Sequence, residues 1–130
     1  MKRSVLKDGK MLRECIEQYN YYRSGNNQMV VFTCMRDSRV FVACRAGRVN
    51  DMAFLNEGRK RYLAVFSNEA QEGEQAGKFT MEEKDFLDVI TAAKFARVDG
   101  IVVDPYGTSF TVTPDDYDTI SRMITRITSE

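Results

Sequence analysis

Apolar residues recur every three to four positions in three segments of the chain, which is the spacing of helices that bury one face. In residues 10–23 the positions with this spacing are Met11, Leu12, Cys15, Ile16, Tyr19 and Tyr22. The run "SGNN" at 24–27 then supplies residues that commonly end a helix. The pattern therefore predicts a first helix over residues 10–23.

A second helix is predicted in "FTMEEKDFLDVITAAKFARV". Thr80, followed three residues later by Glu83, has the spacing of a capping box, in which each side chain binds an unpaired backbone N–H. The apolar face of this helix consists of Phe86, Val89, Ile90 and Ala93. Lys94 falls at the edge of that face, where its stem can pack while its ammonium group reaches water.

The last helix is predicted to begin at "TPDD", with Thr113 as the cap and Pro114 in the first helical position. The two aspartates that follow suit the positive end of the helix dipole. The apolar face of this helix consists of Tyr117, Ile120, Ile124 and Ile127.

The other apolar runs have the β-branched and aromatic composition of strands. The segments "MVVFTCM" (29–35) and "VFVACR" (40–45) flank four polar residues and predict a hairpin. Further strands are predicted in "RYLAVF" (61–66), "GIVVD" (100–104) and "SFTVT" (109–113). Because "GIVV" lacks a polar side chain, both of its faces should be buried, as in a central strand.

Together these elements predict an α/β (α+β) fold with a mixed sheet of about five strands and three main helices. The sequence contains no internal repeat and no linker rich in Pro or Ser, so we expect a single domain over residues 1–130. No apolar run approaches the length of a membrane span. The basic start "MKRSVLKDGK" continues with polar residues where a signal peptide needs an apolar core, which favours a cytoplasmic location.

The chain contains no histidine, so it cannot supply the imidazole of a Ser-His-Asp or Cys-His catalytic system. Cys15, Cys34 and Cys44 are odd in number and lack CxxC spacing, which argues against a disulfide framework or a zinc site and favours buried thiols. The glycines match neither common phosphate-binding loop. We therefore expect no metal and no cofactor.

Charge is balanced overall but unevenly distributed. Residues 36–61 contain seven basic and three acidic side chains, a net charge of +4, whereas residues 69–118 carry a net charge of −8. This asymmetry could steer a charged partner, although a solvated surface explains it more simply. The cluster "RKR" (59–61) lies beside an aromatic strand, but nucleic acid is disfavoured as a partner because the whole chain has no net positive charge.

The stretch "VDGIVVDPYG" places two carboxylates, Asp99 and Asp104, at either end of a predicted strand. At the rise of a strand they lie about 16 Å apart, which is too far for a pair of catalytic carboxylates. Asp104, Pro105 and Gly107 instead fit the positions of a type I turn. The turn does not account for Tyr106.

Two functional hypotheses follow from these residues. The tyrosines Tyr19, Tyr21 and Tyr22 occupy more than one side of the first helix, so at least one should be exposed, either at a protein interface or as a stray ring on an apolar stripe. Alternatively, open α/β sheets bind ligands beyond the carboxyl ends of their strands. A small-ligand or enzyme pocket there would be lined by Ser67, Asn68, Glu69, Asp104 and Tyr106.

The second half of the chain resembles the N-terminal domain of the SseB (enhanced serine sensitivity) family. The resemblance covers residues 61 to about 123 and is carried by "RYLAVFSNEAQ", "FTMEEKDFLDVI" and "VDGIVVDPYGTSFTVTPDDYDTI", in that order. Asp104 departs from the family pattern, which usually has Asn before the turn proline. The resemblance implies an α/β domain without an established enzymatic activity, and it supplies no catalytic residue. Together with the missing histidine and the lack of a catalytic cluster, it favours a small non-catalytic protein that binds a protein partner or forms a homo-oligomer.

Overall fold

A computed structural model describes residues 2–3, 9–45, 52–67, 79–122 and 128–129 of the chain. The helices in these ranges are α1 (Lys10–Tyr21), α2 (Gly25–Asp37), α3 (Phe86–Ala96) and α4 (Pro114–Ser121). The strands are β1 (Lys2–Arg3), β2 (Arg39–Arg45), β3 (Phe54–Glu57), β4 (Lys60–Phe66), β5 (Phe79–Asp85), β6 (Gly100–Val103), β7 (Phe110–Val112) and β8 (Thr128–Ser129).

Six strands form one mixed sheet, in the order β5-β2-β4-β6-β7, with β3 paired to the first half of β4. The central strands β4 and β6 run parallel, and the other pairs in this sheet are antiparallel. The short strands β1 and β8 pair separately. The predicted α+β fold with a mixed sheet is therefore confirmed, with one more strand and one more helix than expected.

The core lies between the helices and one face of the sheet. Alternate residues of the strands, among them Val42, Val65 and Val103, pack against apolar side chains from all four described helices. The opposite face of the sheet has a smaller apolar cluster that includes Phe66. Strand β6 is buried at all four positions, as its sequence predicted, because it lies between β4 and β7 and contributes Ile101 and Val103 to the main core.

The predicted hairpin between residues 29–35 and 40–45 is wrong, because the first of these segments belongs to helix α2. Ser24, which the sequence suggested as the end of the first helix, caps the second: its hydroxyl accepts a hydrogen bond from the Asn27 N–H at 3.1 Å. The Asn27 side chain donates to the Tyr22 carbonyl at 2.8 Å and so closes the end of α1. Packing of Val31 and Met35 against the core outweighs the strand preference of this segment.

The predicted start of the second helix at Thr80 is also wrong. Residues 79–85 form β5, which pairs with β2 along all seven positions, and α3 begins only at Phe86. Glu83 does not complete a capping box, because its carboxylate pairs with Arg39 on the neighbouring strand. The charges of "MEEKD" suit the outer strand of a sheet, where they oppose pairing with another chain.

The remaining helix predictions agree with the structure where it describes the chain. The apolar face of α3 is buried at Phe86, Val89, Ile90 and Ala93. Lys94 is exposed and lies 3.3 Å from the Asp118 carboxylate. Helix α4 begins at Pro114 after Thr113, and it buries Tyr117 and Ile120; the predicted face residues Ile124 and Ile127 lie outside the described ranges. None of the described helices has the length and apolar content needed to cross a membrane.

Tyr117 is buried, and its hydroxyl has no hydrogen-bond partner among the described residues. Burial, with a smaller effect from the negative charge of Asp99, raises the pKa of Tyr117 from 10.0 to about 12. Because the phenol loses its proton at a higher pH in the folded state than in the unfolded state, the free energy of unfolding depends on pH. The contribution of Tyr117 to stability is fully present below pH 10 and is lost as the pH rises from 10 towards about 12.

We expect the replacement Tyr117→Phe to leave the free energy of unfolding at pH 7 unchanged or to raise it by about 1 kcal/mol, because it removes an unpaired buried hydroxyl. Urea unfolding at pH 7 and at pH 11 measures the effect. The wild type should lose more stability than the variant between these two pH values. A loss of stability in the variant at pH 7 would mean that the hydroxyl is hydrogen-bonded in the folded protein and would contradict this prediction.

Candidate functional site

The two aspartates of "VDGIVVDPYG" hold opposite ends of the parallel strand pair. Before β6, the Asp99 carboxylate accepts a hydrogen bond from the Arg61 N–H at 2.8 Å, and the Asp99 N–H donates to the Arg61 carbonyl at 2.7 Å. After β6, Asp104 makes the corresponding contacts with the far end of β4. The two aspartates therefore lie at opposite ends of β6, and each joins its end of β6 to the adjoining end of β4.

Asp104 is only 2% exposed, and both of its carboxylate oxygens are bound to one residue. Oδ1 accepts a hydrogen bond from the Ser67 N–H and Oδ2 accepts one from the Ser67 hydroxyl, each at 2.7 Å. The predicted turn is present, since the Gly107 N–H donates to the Asp104 carbonyl at 3.0 Å. The side chain of Asp104, in contrast, binds Ser67 beyond the turn.

The backbone of Asp104 has a φ of 50°, in the left-handed region that Asn and Asp adopt more readily than most residues. This conformation turns the chain sharply at the end of β6, so that the carboxylate reaches back towards β4. Asn and Asp share this backbone tolerance, and both carry an acceptor oxygen at the required distance from the backbone. The geometry at this position thus favours Asp and Asn over other residue types.

The start of helix α1 packs against the same strand ends. Arg13 donates a hydrogen bond to the Ser67 hydroxyl at 3.2 Å, and Gly9 precedes the helix with a φ of 72°. A methyl group at Gly9 would overlap the Ser67 carbonyl oxygen, so only glycine allows this close approach. We refer to Gly9, Arg13, Ser67 and Asp104 as the strand-end cluster.

The strand-end cluster is a buried, hydrogen-bonded structural contact. The Ser67 hydroxyl donates to Asp104 and accepts from Arg13, so its hydrogen-bonding capacity on both sides is used. Ser67 is fully buried, which leaves its oxygen without access to a solvent-borne substrate. Among the described residues, no three Cys, Asp or Glu side chains come together in a way that could hold a metal ion.

The five residues of the predicted pocket are distributed unevenly. Ser67 and Asp104 are in direct contact, as the parallel strand ends require. Tyr106 lies apart from this contact: its side chain is exposed, and its ring stacks on Phe66 at a centroid distance of 6.2 Å. Asn68 and Glu69 lie outside the described residues.

The basic cluster at residues 59–61 lies at the β3–β4 turn, and its last member has a structural role. The Arg61 guanidinium donates a hydrogen bond to the Ala96 carbonyl at 3.0 Å, at the end of α3, and lies 4.6 Å from the centre of the Phe54 ring. The first contact satisfies a terminal helix carbonyl. Arg59 and Lys60 are exposed.

A separate surface lies where α1 ends and α2 begins. Tyr19 packs edge-on against Phe110 at 5.3 Å, whereas Tyr21 is 89% exposed and Tyr22 is 65% exposed. Met29 and Val30 follow on α2, and both are also exposed. We refer to Tyr21, Tyr22, Met29 and Val30 as the helix-corner surface.

The sequence pattern predicted part of the helix-corner surface and part of the strand-end cluster. The exposure of tyrosines in the first helix was predicted, but the exposure of Met29 and Val30 was missed because their segment was assigned to a strand. Once the segment is read as a helix, Asn26, Met29, Val30 and Thr33 share its outer face by their three- and four-residue spacing. The contact between Arg13 and Ser67 was missed because the residues are 54 positions apart and no local pattern links them.

No protein-family model matches this chain, and no curated protein sequence matches it.

We expect Asp104→Ala to lower the free energy of unfolding by about 3 kcal/mol, because it removes two acceptors from buried donors and places alanine in the left-handed region. Asp104→Asn should cost only about 1 kcal/mol, since asparagine keeps the backbone tolerance and one acceptor oxygen. Urea unfolding at pH 7 measures both changes. Asp99→Ala is the matched control at the exposed end of the same strand, and it should cost less than Asp104→Ala.

Replacement of Gly9 by alanine should be destabilising by at least about 1–2 kcal/mol from the left-handed backbone alone, with a further loss from the overlap with Ser67. Gly25→Ala is the control, because nothing lies within 4 Å of its added methyl group and its φ is not positive. This control should be neutral or slightly stabilising. Equal melting temperatures for the two variants in differential scanning calorimetry would contradict the close packing of α1 on β4.

Proposed function

We propose that this protein is a non-catalytic module of the SseB type that associates with a second copy of itself through the helix-corner surface. The observation that carries the proposal is the exposure of four large apolar side chains within ten consecutive residues, 21–30. Exposed aromatic and methionine side chains that lie close together are typical of protein interfaces.

The composition of the helix-corner surface suits an interface. Tyrosine and methionine are among the residues enriched in the centres of interfaces, whereas charged residues are depleted there. The polar side chain of Asn26 is exposed between the apolar ones in sequence and can supply a hydrogen bond at the rim. Tyrosine adds apolar area at a low cost in side-chain entropy.

The charge of the chain favours a second copy as the occupant. The formal net charge is zero, so two copies do not repel each other at long range as strongly charged chains would. Basic residues at the β3–β4 turn and Asp115 at the start of α4 are exposed, so copies can also place opposite charges near each other. An interface centred on four side chains falls below the roughly 800 Å² per partner of standard complexes, which favours reversible association.

The assignment to the SseB type rests on the order of the elements that carry the resemblance. Strand β4, strand β5, helix α3, strand β6, the Pro105 turn, strand β7 and helix α4 occupy those sequence segments in that order. The buried state of Ser67 and Asp104 also supports a non-catalytic role. A small-ligand pocket at the strand ends would have to use Tyr106 or open the contact between these two residues.

Sedimentation velocity at protein concentrations from about 5 to about 500 µM, a range that covers weak reversible association, tests the proposal. The wild type should show a sedimentation coefficient that rises with concentration. The double variant Tyr22→Ser/Val30→Ser should remain a monomer over the same range, since it removes apolar area from both helices of the surface.

Phe95→Ser is the control for a general effect of surface apolarity. Phe95 is 91% exposed on α3 and is not part of the helix-corner surface. This variant should associate as the wild type does. The proposal fails if the wild type stays monomeric at every concentration, or if the Phe95 variant abolishes association while the double variant retains it.

A further inference from the structure

A second exposed surface lies at the opposite end of the sheet from the helix-corner surface. Close to the helix-corner surface, α1 packs on Phe110, which pairs with Val103 at one end of β6. At the other end of β6, the Arg61 guanidinium donates a hydrogen bond to the Ala96 carbonyl at 3.0 Å. The β3–β4 turn and the end of α3 are therefore neighbours.

Five exposed residues surround the Arg61–Ala96 contact, because each lies within two positions of it in the sequence or packs on the guanidinium. We refer to them as the basic–aromatic surface: Phe54, Arg59, Lys60, Phe95 and Arg97. The Phe54 ring centre lies 4.6 Å from the Arg61 guanidinium, and its side chain is 39% exposed, whereas Phe95 is 91% exposed. Phenylalanine is among the residues most often buried, so these two rings leave apolar area for a partner to cover.

The cations of the basic–aromatic surface are not neutralised within the fold. All three form no ion pair with another described residue, whereas Arg39 and Lys94 elsewhere in the fold pair with carboxylates. Two carboxylates belong to the same segments of the chain, those of Glu57 and Asp99. The Asp99 carboxylate is already bound to the Arg61 N–H. Positive charge on this surface is therefore available to a partner.

Arg97 occupies a backbone position that usually belongs to glycine. It follows α3 with a φ of 56°, and the next N–H, that of Val98, donates to the Ala93 carbonyl at 3.4 Å, as in the common left-handed helix ending. Glycine adopts this conformation without steric cost, whereas for arginine it is unfavourable. An unfavourable backbone conformation at an exposed, unpaired cation supports a functional role for its side chain.

We propose that the basic–aromatic surface binds a short acidic segment of a partner protein, in which apolar side chains are interspersed with carboxylates. The guanidinium and ammonium groups bind the carboxylates of that segment, and its apolar side chains pack on Phe95 and on the exposed part of Phe54. This surface is separate from the helix-corner surface, so the inference does not rest on the proposed self-association.

The charge distribution of the whole chain favours a short acidic segment over nucleic acid. Residues 36–61 carry a net charge of +4, whereas residues 69–118 carry a net charge of −8. A nucleic-acid strand that extended beyond the basic–aromatic surface would meet this excess of negative charge. A segment that covers only the β3–β4 turn and the end of α3 avoids it.

Fluorescence anisotropy tests the proposal. The probe is a fluorescein-labelled peptide in which aspartate and glutamate alternate with leucine and phenylalanine, and the control peptide has serine in place of the acids. With wild-type protein at up to about 500 µM in about 50 mM salt, the acidic peptide should bind saturably and the serine peptide should not. An increase to about 300 mM salt should weaken the binding by at least about fivefold, because the charges in contact are exposed.

The variant Arg97→Gly separates binding from folding. It should raise the melting temperature by about 2–4 °C, because glycine tolerates the left-handed backbone, and should still weaken peptide binding by at least about threefold. Arg122→Ala is the control for the loss of one charge, because Arg122 is exposed at the end of α4 and forms no ion pair with another described residue. This control should bind the peptide as the wild type does. Phe95→Ser should weaken binding, whereas the double variant Tyr22→Ser/Val30→Ser should not.

Four results overturn the proposal. The acidic peptide does not bind the wild type at about 50 mM salt, or Arg97→Gly binds it as tightly as the wild type does. Arg122→Ala weakens binding as much as Arg97→Gly, or a single-stranded oligonucleotide of equal charge binds more tightly than the peptide. A wild type that stays monomeric in sedimentation would contradict only the self-association, since peptide binding is measured for each chain.

Discussion

The parallel pairing of β4 and β6 is the constraint around which the described structure is organised. Parallel strands cannot be joined by a tight turn, so this pair depends on a long connection that contains β5 and α3. An aspartate at each end of β6 binds a backbone N–H of β4 or the residue that follows it. These bonds fix the register of the pair, and a shift by one residue would move every side chain of β6 to the opposite face.

The same constraint determines which polar residues remain available for function. Ser67 and Asp104 are used to join strand ends, and Arg13 attaches α1 to that junction. Arg61 is similarly used, through its backbone at β6 and its guanidinium at the end of α3. Among the described residues, the exposed apolar side chains at the α1–α2 corner are not used in this way.

Sequence patterns predicted the features that depend on neighbouring residues. The apolar face of α3 follows from helical spacing, and the placement of Asp99 and Asp104 at opposite ends of β6 follows from the apolar run between them. Sequence patterns failed where the local structure depends on contacts between residues that are far apart in the sequence. Glu83 has capping-box spacing from Thr80, but its partner is Arg39, 44 positions away, and residues 79–85 are a strand because β2 lies alongside them. The Arg13–Ser67 contact likewise depends on the folded arrangement of α1 and β4.

Helix α2 has a consequence for the chain before it folds. Residues 29–35 are uncharged, lack proline and are rich in residues that prefer strands, which is the composition of segments that form intermolecular β-structure. In the folded protein this segment is helical, and its inner residues are covered by the other helices and the sheet. The cover includes α4, which is made about 80 residues later in synthesis. Until then, the neighbouring charges of Arg36, Asp37 and Arg39 are the main local protection against aggregation of the nascent chain.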